Sequence, residues 1–455
     1  LWRDVYPYTA AQIIGSFGRA SGRVLELGSF SGGISFELAG RYSEMQLVIA
    51  DSNAAYLAWL EQQIDSRGLP SRIKIVSSAL DALPFADGSF DLIILRGAFF
   101  FIMDAPSILS EIHRVLAYGG LAFVGGGYGR GIPQADIDAI ADESRLLNDR
   151  LGRRRVAVTD LKALVATRNL SDVVHITEEG GVWLEMRKPA PVAEHHAGGL
   201  AEALGVVVGD VISVVGGGGK TSLMFTLAEE LVRAGKKVIT TTTTRIMPPE
   251  AHQSPSLAVD EDENRLIAKI GSELARYPHV TAGRCVEAVK LKGLHSETVD
   301  RLAGLALADY IINEADGAAR MPVKAPNATE PVVPQSTTLV VAVVGLDGLC
   351  RLLGRDTAFR VEFITSLTGL LEGEEITPQV ITTLMTDKHG IIQNTPPGAR
   401  IVPFLNKADL AAENTVAALA GGILARCHPQ IGRVVSGAVL SQNKTLRVFL
   451  PLARE

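Results

Sequence analysis

Residues 210–237, DVISVVGGGGKTSLMFTLAEELVRAGKK, read as a strand, a glycine turn and a helix with nothing between them. Residues 211–215 form an apolar run rich in β-branched side chains, the pattern of a buried strand. From Thr221 apolar residues recur at helical spacing, with Leu223, Leu227 and Leu231 beside Phe225, Ala228 and Val232, until Gly235 stops the helix. Between the two lie Gly216, Gly217, Gly218 and Gly219, then Lys220, Thr221 and Ser222. Consecutive glycines let backbone N–H groups converge at a helix N-terminus, where the helix dipole attracts an anion. Lys220 is placed to reach the outer phosphates of a nucleotide, and the Thr221 hydroxyl to ligate Mg2+. The spelling departs from GxxxxGK[ST], since Val214 stands at the first glycine. It is nearer the GGxGKT variant, whose leading lysine is here Val215.

A chain of 455 residues exceeds one ordinary domain and suggests two or three. With 47% hydrophobic and 21% charged residues it has the composition of a soluble globular protein with ample core. A formal charge of -6 with interspersed signs argues against a dedicated nucleic-acid or anionic-membrane surface. Cys285, Cys350 and Cys427 are far apart and form no CxxC pair, so neither a disulfide framework nor a zinc site is expected, and the setting is a reducing cytoplasm. The strongest apolar run, 339–346, is soon broken by Asp347 and Arg351 and is too short to span a membrane. The start has no signal-peptide pattern. It opens on Leu1 in place of methionine, which leaves the native N-terminus undetermined.

Before the glycine turn, strands and helices alternate. Residues 23–28, 47–50, 73–76, 92–95 and 121–124 read as strands, and 34–42, 57–67 and 105–117 as helices. That rhythm predicts a doubly wound parallel sheet, which binds ligands at the carboxyl ends of its strands. Glu26-Leu27-Gly28-Ser29-Phe30-Ser31-Gly32 closes the first strand, and Asp51 the second. The glycines permit close backbone approach to a ligand, and a carboxylate at the next strand end can accept both hydroxyls of a ribose.

These residues resemble the ExGxGxG motif and the ribose-binding acid of class I S-adenosylmethionine-dependent methyltransferases. The segment 83–91, LPFADGSFD, and Gly119-Gly120 after a helix resemble the same family, over roughly residues 20–185. The resemblance implies a Rossmann-like fold and an S-adenosylmethionine site at Glu26, Gly28, Gly32 and Asp51. Phe30 replaces the middle glycine, and Ser78 stands where the family often carries an acid. No nucleophile or base identifies a methyl acceptor. Arg153-Arg154-Arg155 reads as a solvated loop or helix end. Residues 188–199, KPAPVAEHHAGG, shift to Pro, Ala, His and Gly and read as a linker.

Beyond the glycine turn, residues 238–240 begin a strand that runs through Thr241, Thr242, Thr243 and Thr244 to Arg245. Two readings stand: hydroxyls and Arg245 facing bound phosphate, or a plain edge strand. Residues 310–312 lead into Glu314 and Asp316, which alternation places on one side of the backbone. Opposite a phosphate loop, such a pair suits Mg2+ binding and activation of an attacking water. Lys324 adds positive charge nearby. Residues 401–405 deliver Asn406-Lys407-Ala408-Asp409, the NKxD pattern that reads guanine. Asp409 can accept from the guanine N1–H and exocyclic amine, and the Lys407 stem can lie over the ring.

GGGGKTS, the threonine run with Arg245, Lys290-Leu291-Lys292-Gly293, EADGAARMPVKAP, Glu330-Pro331-Val332-Val333-Pro334 and PPGARIVPFLNKAD occur in this order. Together they resemble the YqeC-type accessory proteins of selenium-dependent molybdenum hydroxylases, over about residues 203–450. The resemblance implies a maturation factor for a selenium-bearing molybdenum cofactor, partnered by the hydroxylase or that cofactor. Phe359-Arg360-Val361-Glu362 departs from the HRPE expected there.

The expected architecture is α/β with two doubly wound domains. A methyltransferase-like domain (1–188) and a linker (189–202) precede a P-loop NTPase fold (203–455). Lys220, Glu314 and Asp316 are the expected catalytic residues. Thr221, Glu314 and Asp316 are expected to hold Mg2+, and Asn406, Lys407 and Asp409 to read the base of GTP or, second, ATP. Methyl transfer regulated by the nucleotide domain, and an adaptor that turns over neither cosubstrate, are the alternatives.

Overall fold

The computed structural model describes residues 2–29, 31–97, 99–150, 156–171, 173–426, 428–441 and 445–452. The chain forms two compact units, divided between Pro189 and Ala190. Among the described residues no helix is long and apolar enough to cross a membrane.

The first unit contains β1 (Gly22–Leu27), β2 (Met45–Asp51), β3 (Ile73–Ser77), β4 (Phe90–Leu95), β5 (Leu116–Gly127), β6 (Val174–Thr177) and β7 (Gly181–Arg187). They join in the order β3-β2-β1-β4-β5-β7-β6. The pairings from β3 through β5 are parallel, whereas β7 runs antiparallel to both β5 and β6. Alternation along the buried strands builds two cores. Val24 of β1 with Leu92 and Ile94 of β4 meets helices Tyr6–Phe17, Gly33–Arg41 and Ala54–Ser66. Leu25 and Leu27 with Ile93 and Leu95 meet helices Ser107–Val115 and Val158–Thr167 on the other face. Strand order reverses between β1 and β4, which opens a crevice at their carboxyl ends.

The second unit supplies β8 (Val192–Ala197), β9 (Val211–Gly216), β10 (Val238–Thr242), β11 (Arg245–Ile246), β12 (Leu257–Val259), β13 (His279–Gly283), β14 (Cys285–Glu287) and β15 (Lys290–Lys292). There follow β16 (Tyr310–Glu314), β17 (Val323–Lys324), β18 (Leu339–Gly345), β19 (Ala358–Phe359), β20 (Arg400–Asn406), β21 (Val434–Gly437) and β22 (Leu446–Pro451). Ten of them form one sheet, β12-β13-β10-β16-β9-β18-β20-β21-β22-β8. It is parallel from β12 to β21, with β22 antiparallel to both its neighbours. In β18, Leu339, Val341 and Val343 pack on the side of helix Lys220–Arg233. Val340, Ala342 and Val344 pack on the side of helices Pro378–Thr386 and Glu413–Ala425. Both faces of the strand are therefore covered, which is why its sequence is a continuous apolar run.

Two sequence expectations change here. Residues 189–202 are not a linker: they hold β8, which pairs with β22 from Val192↔Pro451 to Ala197↔Leu446, and the helix Leu200–Leu204. An edge strand needs only one partner and one packed face, so its Ala, Glu and His composition did not announce it. The threonine run is not an edge strand. β10 lies inside the sheet between β13 and β16, and Thr240, Thr241 and Thr242 are buried. Their hydroxyls meet Thr281, the Ala282 carbonyl and the Glu314 carbonyl, while Thr243 donates to the Val332 carbonyl.

Candidate functional site

In the second unit, neighbouring strands deliver residues to one end of the sheet. The register pairs Glu314 of β16 with Val214, and Val343 of β18 with Gly216. It also brings Gly345 beside Asn406 of β20. The glycine loop follows β9 and is wedged among these strand ends. Gly216 has φ +96 and Gly218 φ +75. A Cβ would lie 2.2 Å from the Val343 carbonyl oxygen at the first and 2.2 Å from Gly345 N at the second. Only glycine fits either position.

Not all the loop amides converge on one concavity, as the glycine run had suggested. Gly216 N donates to Asp316 Oδ2 at 3.0 Å, Gly217 N to the Val343 carbonyl and Gly218 N to the Met321 carbonyl, each at 2.9 Å. The loop is pinned by these bonds, and the anion-seeking end is the helix itself. Its first intrahelical bond runs from Leu223 N to the Gly219 carbonyl, and no side chain caps it. The amides of Gly219, Lys220, Thr221 and Ser222 are the ones that a helix start leaves for a ligand.

Lys220 folds back over the loop. Its Nζ donates to the Gly216 carbonyl at 2.7 Å and lies 3.2 Å from Asp316 Oδ1 and 3.7 Å from Glu314 Oε1. Burial works against the ammonium, but Asp316 and Glu314 outweigh it and hold the group above its ordinary range. Glu314, the more distant partner, is pushed up by burial against the opposing pull of Lys220 and Thr221. The Thr221 hydroxyl donates to Glu314 Oε2 at 2.7 Å.

Asp316 meets Lys220 from the same side as Glu314, as the alternation suggested, and is also tied to the loop and to a second lysine. Its Oδ2 takes Gly216 N and, at 2.8 Å, the ammonium of fully buried Lys324. Lys324 continues to Glu330 at 3.1 Å, and Glu330 to Arg360 at 2.8 Å. Asp316 thus sits between two lysines and fastens the loop, while Thr221 and Glu314 form the pair able to face a metal. Among the described residues no cluster of three or more His, Cys, Asp or Glu side chains is arranged to hold a metal ion. Mg2+ would therefore draw its remaining ligands from phosphate oxygens and water.

The NKAD segment divides its work. Asn406 holds the loop: its Nδ2 donates to the Gly218 carbonyl at 2.8 Å, and its Oδ1 accepts Val439 N at 3.3 Å. Lys407, at φ +57, pairs with Asp347 Oδ2 at 2.5 Å. Asp409 stands exposed in the short turn Ala408–Leu410. Sequence reading missed Asp347 and Val439; both follow strand ends next to the loop, and their position was the available signal.

In the first unit, buried Glu26 accepts Ser35 N at 3.0 Å and Ser35 Oγ at 2.5 Å through Oε2. Burial pushes its carboxyl up to about 7, against the pull of the Ser35 bonds. Gly28 turns at φ +54 with its N–H on the Ala50 carbonyl, and Gly32 caps the helix Gly33–Arg41 at φ +66. Tyr56 OH meets Ser29 Oγ at 2.6 Å, Tyr6 OH meets Ser31 Oγ, and Asp51 Oδ1 accepts Asn53 N at 2.8 Å. Ser78 is half-buried and turned onto the Ala79 and Ala82 carbonyls. Phe30, Arg153, Arg154, Arg155 and Cys427 lie outside the described residues. Tyr6, Tyr56 and Arg96 were missed because none belongs to the glycine motif.

A raised carboxyl makes the folded state bind a proton that the unfolded chain releases, so stability is lost as pH climbs from about 4.5 to 7. Glu26→Gln removes the ionisable group. It is expected to stabilise the first unit by up to about 3 kcal/mol at pH 8, with the gain fading toward pH 4.5. Tryptophan-fluorescence melts at the two pH values check this, since Trp2, Trp59 and Trp183 all lie in that unit.

The two units are thus a Rossmann-like α/β unit with a strand-end crevice and a parallel-sheet unit with a lysine-bearing glycine loop. Residues 25–124 match the methyltransferase domain family and residues 212–362 the YqeC protein family. The Escherichia coli K12 protein YqeC, described as uncharacterized, is 34% identical over 207 residues, 46% of this chain and 79% of its own length. The chain belongs to the YqeC family, with a methyltransferase domain ahead of its YqeC domain. The ubiquinone/menaquinone biosynthesis C-methyltransferase UbiE of Xanthomonas oryzae is 35% identical over 120 residues, 26% of this chain. The chain spans 46% of that relative's length. Among solved structures, a SAM-dependent methyltransferase from Aquifex aeolicus is 14% identical with a TM-score of 0.31, covering 40% of this chain and 92% of that one. The Bacillus YcgJ protein is 17% identical with a TM-score of 0.29, covering 41% and 71%. The fold of the first unit rests on its strand order and its family match.

Proposed function

We propose that the second unit is a P-loop nucleotide-binding domain that binds and hydrolyses GTP with Mg2+, in the service of maturing a selenium-dependent molybdenum hydroxylase. The observation that carries this reading is the uncapped start of helix Lys220–Arg233, with Lys220 and the Thr221–Glu314 pair beside it. An incoming polyphosphate offers Lys220 a stronger partner than the Gly216 carbonyl, and the helix amides bind the same anion. Mg2+, held by Thr221 and Glu314, would neutralise charge on the phosphate oxygens. Asp316 keeps the loop in place during turnover through Gly216 N and Lys324. Asp409 is exposed where a guanine edge can reach it. The maturation role rests on the ordered motifs that resemble the accessory proteins of these hydroxylases.

Titration of the full chain with non-hydrolysable GTP and ATP analogues plus Mg2+ tests the reading. The GTP analogue is expected to bind in preference. Asp409→Asn is expected to cost about ten-fold or more in GTP affinity, the worth of a hydrogen bond to a charged group. Preference for ATP would remove the base-reading role of Asp409, and binding of neither analogue would overturn the nucleotide reading.

A second reading, methyl transfer, is favoured by the methyltransferase domain match at residues 25–124. Its cosubstrate would be S-adenosylmethionine, which supplies the methyl group. Buried Glu26 makes no salt bridge among the described residues, with Arg96 acting on it only through its charge, which leaves it free to take the ammonium of the methionine moiety. Asp51 lies at the next strand end, where a ribose would come. Nucleotide-dependent consumption of S-adenosylmethionine would join the two readings.

A further inference from the structure

Arg96 follows β4 directly, at the point where strand order reverses. It is half-buried and makes no salt bridge among the described residues, although the charges of Arg96 and Glu26 act on each other. Its Nη2 and Nε share one acceptor, the Gly127 carbonyl at the end of β5, at 2.8 and 3.3 Å. The contrast with Arg72, also without an acid, is informative: Arg72 spends its guanidinium on three carbonyls, those of Ala39, Tyr42 and Met45. Arg114, Arg360 and Arg447 each have a carboxylate. In Arg96, Nη1 has no hydrogen-bond partner among the described residues.

The faces of this guanidinium are walled by rings. The Trp2 ring lies 4.3 Å from Cζ and the Tyr6 ring 5.8 Å, and Tyr128 packs on Trp2 at 5.8 Å. Stacking on a guanidinium face leaves the in-plane N–H edge for an anion, and a carboxylate matches that edge with two parallel bonds. The side chain leans from β4 toward β5, where the Gly127 carbonyl takes it, and its charge still reaches Glu26 of β1. Tyr6, whose OH meets Ser31 Oγ, connects Arg96 to the glycine motif.

We infer that Arg96 anchors a carboxylate in the crevice of the first unit, between aromatic walls that suit a planar body. Two molecules can bring that carboxylate: a methyl acceptor bearing its own, or the methionine moiety of S-adenosylmethionine. The second source rests on the proposed reading of this unit; the first does not.

Calorimetric titration of the full chain and of its Arg96→Gln and Arg96→Lys variants separates these cases. The probes are S-adenosylhomocysteine, 5′-methylthioadenosine, which lacks the amino-acid carboxylate, and benzoate, with benzamide as its neutral counterpart. Arg96→Gln is expected to weaken a carboxylate probe by about ten-fold or more while 5′-methylthioadenosine is unaffected, with Arg96→Lys in between. Loss confined to S-adenosylhomocysteine assigns the anchor to the cosubstrate, and loss of benzoate over benzamide assigns it to an acceptor. If wild type binds neither nucleoside, the S-adenosylmethionine reading fails and the benzoate arm decides the anion site. The inference is overturned if no carboxylate probe depends on Arg96, or if 5′-methylthioadenosine weakens as much as S-adenosylhomocysteine.

Discussion

Asp316→Ala is expected to destabilise the second unit by about 3–5 kcal/mol, the cost of stripping one partner from a buried ion pair. The carboxylate is fully buried, takes Gly216 N, and lies between Lys220 and Lys324. Its removal leaves an amide unpaired, and Lys324, with no exposed surface, keeps Glu330 as its only remaining acid among the described residues. Asp316→Asn keeps an acceptor for the amide and is expected to lose less. The measurement is built into the composition, because every tryptophan lies in the first unit. The far-UV circular dichroism transition should shift to lower urea while the fluorescence transition stays in place. An unmoved dichroism transition would show that the lysines find other partners and that Asp316 does not fasten the loop.

The second large effect concerns chemistry. Lys220→Met is expected to lower GTP hydrolysis by about two to three orders of magnitude, the scale seen when one preorganised donor to transition-state charge is removed. Its fold should survive, because Asp316 retains Lys324 and Gly216 N, and burial already favours the neutral form of Glu314. Phosphate release by the full chain, with dichroism as the control for folding, tests this. Wild-type turnover matched by Lys220→Met would place any hydrolysis elsewhere than the glycine loop.

Much of the scaffold was legible because it is written in local patterns. The apolar runs of β9, β18 and β20, the alternation around Glu314 and the glycine turn depend on a few neighbouring residues, and each lies where its pattern put it. Lys220, Thr221 and Glu314 come together as strand ends in a parallel sheet must. Partners were not legible. Nothing near Asn406 in sequence announces that its amide will clamp the Gly218 carbonyl, nor that Asp316 will be claimed by Lys324 from a separate short strand. Threonine propensity placed 240–242 in a strand but could not say that β13 and β16 would flank it. Arg96 shows the same limit: its lack of a salt bridge among the described residues is a property of the space around it, invisible in ILRG.

The edge strand β8 has a practical side. It follows the division at Pro189 almost at once and supplies the outermost rung of the second sheet, where Glu194 also pairs with Arg447 at 3.2 Å. A nick or truncation between 198 and 203 would strip β22 of its neighbour and leave a bare ladder of backbone donors and acceptors. Such a fragment would invite the same strand from another molecule, so a trimmed second unit is a candidate for swapped dimers or sticky oligomers.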